Sequence, residues 1–208
     1  MSRGLVVFFV AAVLILSACG GAKTGAPSPS SAKSAVSAPD PVASGSAESV
    51  RVGSETEVFD SPLPTGPAEA KVVEDFREAQ ILWDESETAQ HLVAPVTDYV
   101  TGGALAHLRD AVAATSQQDL VPAGADRMFK TRVTILSARS ATITTCDDGS
   151  KFREKNRRTG RVDAQFNAPP DQQYLFETWR MMRLSAHWAI TGLSLASLPK
   201  LAAKHCQP

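Results

Sequence analysis

The sequence predicts an α+β fold in which helices come first and an antiparallel sheet follows. Apolar residues recur at every third or fourth position through residues 67–86, which is the spacing of an amphipathic helix. From about residue 129 apolar and polar residues alternate instead, as they do in half-buried strands. Because the helices precede the strands rather than alternating with them, the order favours α+β over a parallel βαβ sheet.

The helices are predicted from their apolar faces and their ends. The first begins at Pro67, after Gly66, and acidic residues lie early in it, where the helix dipole favours them. Its apolar face is formed by Val72, Phe76, Ala79, Trp83 and Ser86. A short helical turn is predicted after Pro95, and a second long helix near Ala104.

The strands are predicted from alternation, from threonine and isoleucine content, and from turn residues. The predicted strands cover residues 129–135, 138–146, 174–184 and 187–195. Asp148-Gly149 and Thr159-Gly160 predict the turns of a further hairpin between the second and third of these strands.

The N-terminus resembles a bacterial lipoprotein signal peptide. An unbroken apolar run from Leu5 to Leu16 follows the cationic Arg3, and the small residues Ser17 and Ala18 then lead to Cys19. The run is shorter than the roughly 20 apolar residues that span a bilayer. The resemblance implies that residues 1–18 are removed, that Cys19 is lipidated, and that the protein is anchored to a bacterial cell membrane on its extracytoplasmic side.

Composition divides the rest of the chain. Residues 19–66 consist mostly of alanine, serine, proline and glycine, so they are predicted to form a disordered, flexible linker. Residues 67–208 are predicted to form one domain. With Cys19 assigned to lipid, Cys146 and Cys206 remain and are predicted to form a disulfide outside the cytosol, the alternative being two unpaired buried cysteines.

Charge and motifs exclude several classes of function. The formal net charge is −1, which predicts no nucleic-acid partner. There is no CxxC pair, the four histidines show no ligand spacing, and GxSxG, GxxxxGK[ST], HExxH and GxGxxG are absent. No metal and no cofactor are therefore predicted. A basic stretch at residues 151–161 is interpreted as a solvated hairpin, or as a surface for anionic headgroups or cell-wall polymer.

Short segments within residues 67–198 resemble secreted bacterial lipoproteins of the nuclear transport factor 2-like superfamily. These segments are Tyr99 to Gly102, Thr144 to Asp148, the turn Thr159-Gly160, and Trp188-Ala189-Ile190. The resemblance implies a strongly curved antiparallel sheet that wraps the first helix as a cone with an apolar cavity. It also implies possible homodimerisation through the sheet.

The functional hypothesis is a non-enzymatic domain that binds a small apolar ligand or an envelope protein. Its alternative is a small-molecule enzyme of the isomerase, dehydratase or epoxide hydrolase type, since both occur in that superfamily. The pocket candidates are Trp83, Asp98 and Tyr99, because members of that superfamily that resemble ketosteroid isomerase use a carboxylate base together with an acidic hydrogen-bond donor. Asp84 is a further candidate, although its position also fits a solvent-facing carboxylate. No catalytic residue is assigned.

Overall fold

The computed structural model describes residues 47–162, 173–196 and 205–206, which form a six-stranded sheet with helices packed against it. The strands are β1 (Glu48–Val52), β2 (Ser54–Asp60), β3 (Leu120–Ser137), β4 (Ser140–Asn156), β5 (Tyr174–Arg183) and β6 (Trp188–Ala196). The helices are α1 (Pro67–Ala89), α2 (Val96–Tyr99) and α3 (Gly102–Gln118). The strands lie in chain order across the sheet.

The α+β class is confirmed, and so are the elements with the clearest periodicity. α1 begins at Pro67 and buries Val72, Phe76, Ala79, Trp83 and Ser86, the face that the sequence predicts. The final strand pair, β5 and β6, is also confirmed. These elements are encoded by local patterns, so no distant contact is needed to predict them.

The prediction of a flexible linker is wrong over residues 48–60, because these residues form strands β1 and β2. Both strands are short, and their composition is polar. The buried positions of β2 are Glu55, Glu57 and Phe59, so carboxylates occupy two of the three positions where a core-facing strand normally has apolar residues. An alternating pattern with acids on the inner face resembles a solvated segment, which is why composition indicated a linker.

The sheet is mixed rather than antiparallel, which corrects a second prediction. β2 pairs parallel to β3, and all the other neighbouring strands pair antiparallel. A parallel pair needs a long crossover, which here consists of α1, α2 and α3.

The predicted turn at Asp148-Gly149 is also wrong, because β4 continues through it to Asn156. At Gly160, φ is +69°, and its amide donates to Asn156 O, which forms the predicted turn there.

The apolar core lies between the helices and one face of the sheet. Phe76 and Trp83 of α1 meet Trp179 of β5, with ring centroids 5.6 and 5.9 Å apart and edge-to-face geometry. Leu108 of α3 and Ile190 of β6 are fully buried in the same cluster. α1 and α3 are therefore fixed against the sheet at this end of the domain.

A disulfide covers the opposite face of the sheet. Phe129, Cys146 and Phe176 lie side by side on β3, β4 and β5, and Cys146 is bonded to Cys206. This is the cysteine pair expected from the sequence. It joins residues 60 positions apart and so attaches the segment containing Cys206 to the middle of the sheet.

The predicted signal peptide and Cys19 lie outside the described residues, as does the linker up to residue 46. The helices that the structure describes include none long and apolar enough to cross a membrane.

Candidate functional site

The inner face of the sheet changes from apolar to acidic along the strands. On β5 the buried positions are Met181, Trp179 and then Glu177. On β4 they include Ile143, Thr145 and then Asp147. Side chains two positions apart share a face of a strand, so these carboxylates continue the rows that form the core. The core therefore gives way to a group of inward-facing acids.

Strand β2 contributes two carboxylates in the same way. Glu55 and Glu57 are in phase with the core residue Phe59, and they are only 2% and 1% exposed. In the parallel pairing with β3, Glu57 lies beside Asp126 and Glu55 lies beside Gly124.

A β-bulge opposite Asp126 interrupts the pairing of β3 with β4. Between the pairs Ala125–Lys151 and Arg127–Asp148, the single residue Asp126 faces two residues of β4, Gly149 and Ser150. Just before the bulge Gly124 has φ +92°, and a Cβ there would lie 2.1 Å from Lys151 O. Only glycine combines this left-handed conformation with such close packing against β4. Gly124 therefore allows the backbone path that brings Asp126 beside Glu57.

Helix α1 closes the site from the other side. Gln80, Trp83, Asp84 and Glu87 follow the i, i+3, i+4, i+7 spacing, so they lie on one helix face. This polar stripe adjoins the apolar stripe of the same helix and shares Trp83 with it. The indole N–H of Trp83 donates to Glu87 Oε1 at 2.9 Å, which fixes the Glu87 carboxylate on this face.

Together these residues line a cavity of about 360 Å³ between α1 and the sheet. Seven carboxylates face it: Glu55, Glu57, Asp84, Glu87, Asp126, Asp147 and Glu177. Trp83, Phe152 and Trp179 form aromatic parts of its wall, and His107 of α3 also lines it. Among the described lining residues there is no lysine or arginine. Lys151 and Arg153 flank Phe152 on β4, so they point to the other face of the sheet.

Burial and mutual repulsion raise the pKa values of the cavity carboxyls. Desolvation, with the negative charge of Asp126 next in importance, raises the pKa of Glu55 to about 8 and that of Glu57 to about 9. Burial also raises the pKa of Glu177 to about 8, although a hydrogen bond from Trp179 Nε1 at 2.9 Å opposes the shift. Burial raises the pKa values of Asp84, Glu87 and Asp147 as well.

Several polar atoms of the cavity have no hydrogen-bond partner within the described part of the chain. They are Glu55 Oε2, Glu57 Oε1, Asp147 Oδ1 and the amide nitrogen of Gln80. Asp75, a buried carboxylate elsewhere on α1, shows the usual arrangement: Lys71 Nζ and the amide of Trp188 donate to its two oxygens, each at 2.9 Å. Glu55, Glu57 and Asp147 differ from Asp75 because one carboxylate oxygen of each has no such donor among the described residues.

Three of the carboxylates lie close enough to share one cation. Glu55, Glu57 and Asp126 each offer one oxygen, and the three oxygens lie within 4.8 Å of one another. They come from two neighbouring strands, so the rigid pairing of β2 with β3 maintains their spacing.

The pocket residues predicted from the sequence divide into two groups. Trp83 lines the cavity, and so does Asp84. Of the two interpretations of Asp84, the structure therefore favours the pocket residue over the solvent-facing carboxylate. Asp98 and Tyr99 do not line it, which corrects that prediction: Asp98 is exposed on α2, and Tyr99 packs at a tilt against His187 with ring centroids 4.7 Å apart. The reason is that α2 is held beside β6, where Val100 pairs with Ile190.

Sequence reasoning missed most of the acidic site. Composition places Glu55 and Glu57 in the predicted linker, and no sequence motif indicates Asp126, Asp147 or Glu177. The available signal was phase, since each of these acids lies two or four positions from an apolar or threonine residue that faces the core. Searching for cysteine and histidine spacing does not detect a site made of carboxylates.

Comparison with known proteins adds no family or function. No model of a protein family matches the sequence, and no curated protein matches it. Among solved structures, the crystal structure of the intermembrane space region of chloroplast protein ARC6 is similar over 59% of this chain and 94% of that chain, with 16% identity and a TM-score of 0.39. A likeness of that size carries no argument about this chain.

Proposed function

We propose that this protein is a lipid-anchored binding protein whose cavity takes a positively charged ligand. The observation that carries the proposal is the convergence of seven carboxylates on one cavity with no described lysine or arginine in its lining. The binding is non-enzymatic, and the domain is held on the extracytoplasmic side of a bacterial membrane through Cys19.

The charge of the cavity is the physical reason for this choice of ligand. Buried carboxylates are costly unless protons or cations neutralise them. The indole rings of Trp83 and Trp179 add apolar surface that excludes water, and their N–H groups hold Glu87 and Glu177 in the lining. A small apolar ligand, as the sequence suggested, would leave oxygens of Glu55, Glu57 and Asp147 unsatisfied, so a cation fits the lining better.

The anchor and the cone-shaped fold of the nuclear transport factor 2-like superfamily are parts of the same proposal. The long helix α1 against the sheet supports such a cone, and so do bulges in the pairing of β3 with β4 at Ala125/Arg127 and Phe129/Arg132, because bulges bend strands. The sequence around Cys19 supports lipidation. An envelope protein or a second copy on the outer face of the sheet remains a further prediction.

A second candidate is an acid–base enzyme of the isomerase, dehydratase or epoxide hydrolase type. The observation that favours it is a carboxyl group, Glu57, whose pKa is raised to about 9, so that it stays protonated at neutral pH and can donate a proton. Such an enzyme would accept an uncharged substrate, whereas the proposed binding protein requires a positive charge.

Matched probes distinguish these two candidates. We expect 1,4-diaminobutane to raise the unfolding temperature of the full-length protein at pH 8.5 in EDTA, because only the folded state offers the carboxylate cavity. The uncharged analogue 1,4-butanediol is expected to have no effect. Stabilisation by the diol alone would favour the enzyme. Failure of the diamine in EDTA, together with failure of inorganic cations in a buffer without EDTA, would contradict the proposed function.

The anchor is tested separately. Cys19→Ala is expected to abolish incorporation of labelled palmitate in a bacterial host, because the thioether to lipid requires that thiol. Cys206→Ala, which removes a cysteine of the folded domain, should leave labelling intact. Equal labelling of the Cys19→Ala chain and the unaltered chain would contradict the lipoprotein assignment without affecting the cavity.

A further inference from the structure

We propose that Glu55, Glu57 and Asp126 form a binding site for a divalent cation, and that the cation is Ca²⁺. The inference deepens the proposed function, since it rests on the cavity being a site for positive charge. It adds a metal and a defined set of ligands.

Geometry supports a shared ion at these three residues. Each residue offers one oxygen, and the three oxygens lie within 4.8 Å of one another. Oxygens that bind Ca²⁺ at about 2.3–2.6 Å lie at most about 5 Å apart, so the trio can surround one ion with little movement. The two glutamates lie two positions apart on one face of β2, and Asp126 lies opposite Glu57 on β3.

A second observation comes from residues outside the trio. Asp147 and Gln80 are 9% and 4% exposed, line the same cavity, and each has a polar side-chain atom with no hydrogen-bond partner within the described ranges. Native proteins rarely leave such groups unsatisfied. Asp147 comes from β4 and Gln80 from α1, so the unsatisfied groups approach the cavity from two further elements. A water molecule bound to a central cation would donate to Asp147 Oδ1, whereas the amide nitrogen of Gln80 is a donor and would need an acceptor such as a carboxylate oxygen of the site.

The chemistry of the ligands selects the metal. Carboxylate oxygens are hard ligands that suit Ca²⁺, Mg²⁺ and Mn²⁺, whereas Zn²⁺ prefers histidine and cysteine. Mg²⁺ usually keeps several waters and takes one or two carboxylates in a strict octahedron. Three protein carboxylates in a cavity of about 360 Å³ fit the larger ion, which accepts six to eight oxygens in flexible geometry.

Terbium luminescence tests the site directly, because Tb³⁺ replaces Ca²⁺ and is excited by nearby tryptophan. Trp83 and Trp179 line the same cavity. The full-length protein is expected to sensitise Tb³⁺ emission at pH 8.5, and Ca²⁺ should displace the lanthanide at concentrations at least tenfold lower than Mg²⁺. Displacement by Mg²⁺ at equal concentration would overturn the assignment to Ca²⁺.

Paired variants locate the site. Glu55→Gln is expected to weaken Ca²⁺ binding by about tenfold or more, since it removes one of three charged ligands. Glu85→Gln removes the same charge from the exposed surface of α1 and should change the affinity by less than about twofold. Equal affinities in the two variants would overturn the site, and circular dichroism verifies that both are folded.

The outcomes separate this inference from the function on which it rests. If neither Tb³⁺ nor Ca²⁺ binds but 1,4-diaminobutane does, the metal site is wrong and the cavity is a site for organic cations. If none of these cations binds, both proposals fail. A rise in the unfolding temperature of the unaltered protein with Ca²⁺, absent with an equal ionic strength of NaCl, supports the site without any variant.

Discussion

In the absence of added cations, the free energy of unfolding is expected to fall steeply as the pH rises from about 5 to about 9. The pKa values of Glu55, Glu57 and Glu177 are raised from 4.5 to about 8, 9 and 8. Between those limits the folded protein holds protons that the unfolded chain releases. The stabilisation is therefore complete below pH 4.5 and is lost as the pH rises through 8 to 9.

Glu177 gives the scale of this effect, because its carboxyl is buried and solvent screens it little. A shift from 4.5 to about 8 corresponds to roughly 5 kcal/mol, since each pKa unit is worth about 1.4 kcal/mol. Asp84, Glu87 and Asp147 add to the same trend, because burial raises their pKa values too. Asp126 faces the same space, and its negative charge contributes to the raised pKa values of Glu55, Glu57 and Glu177.

Urea unfolding at pH 5, 7 and 8.5 in EDTA measures this dependence. Glu177→Gln is expected to flatten it and to make the protein more stable than the unaltered protein at pH 8.5, because the amide stays neutral and still accepts the Trp179 indole hydrogen bond. Glu85→Gln, which is exposed on α1, should leave the slope unchanged. A free energy of unfolding that rises between pH 5 and 8.5 would contradict the burial of these carboxyls.

Loss of the disulfide is expected to have the second large effect. Cys146→Ala with Cys206→Ala opens a loop that spans 60 positions, and the chain-entropy relation gives a loss of about 4 kcal/mol in the free energy of unfolding. Phe129 and Phe176 pack around the bridge on the outer face of the sheet, so the segment containing Cys206 also loses its attachment to that face.

The measurement is urea unfolding of two chains, the double variant and a chain that keeps Cys146 and Cys206. Both carry Cys19→Ala, so that no third thiol is present. A reducing agent should lower the midpoint of the cysteine-containing chain and leave the double variant unaffected. Equal midpoints for the two chains without reductant would mean that the bridge contributes nothing to stability. Cation binding should persist in both, because Cys146 lies on the face opposite the cavity.

Local periodicity was sufficient for the elements that pack against the core. The side chains of α1 from Val72 to Ser86 recur with helical spacing, and those of β5 and β6 alternate, so each pattern indicates its own structure. The sequence could not predict the parallel pairing of β2 with β3, because that contact joins segments separated by three helices. Its register also depends on the backbone allowed at Gly124.

The acidic cavity was harder to predict because its residues contradict the usual pattern of apolar residues inside and polar residues outside. Glu55 and Glu57 made β2 look solvated, and Asp84 and Glu87 made one face of α1 look solvent-exposed. Places where a sequence departs from this pattern are often functional. Here the departure occurs on four strands and a helix at once, so the acids converge only after the chain has folded.

Isothermal titration calorimetry of the full-length protein with Ca²⁺ and with 1,4-diaminobutane at pH 8.5 tests the central claim, that the converging carboxylates bind positive charge. The account predicts saturable binding of at least one of these cations, no heat from 1,4-butanediol, and loss of binding when Glu55, Glu57 and Glu177 are all replaced by glutamine. Cation binding that persists after this triple replacement, in a protein that is still folded, would contradict the central claim. So would the absence of cation binding to the unaltered protein.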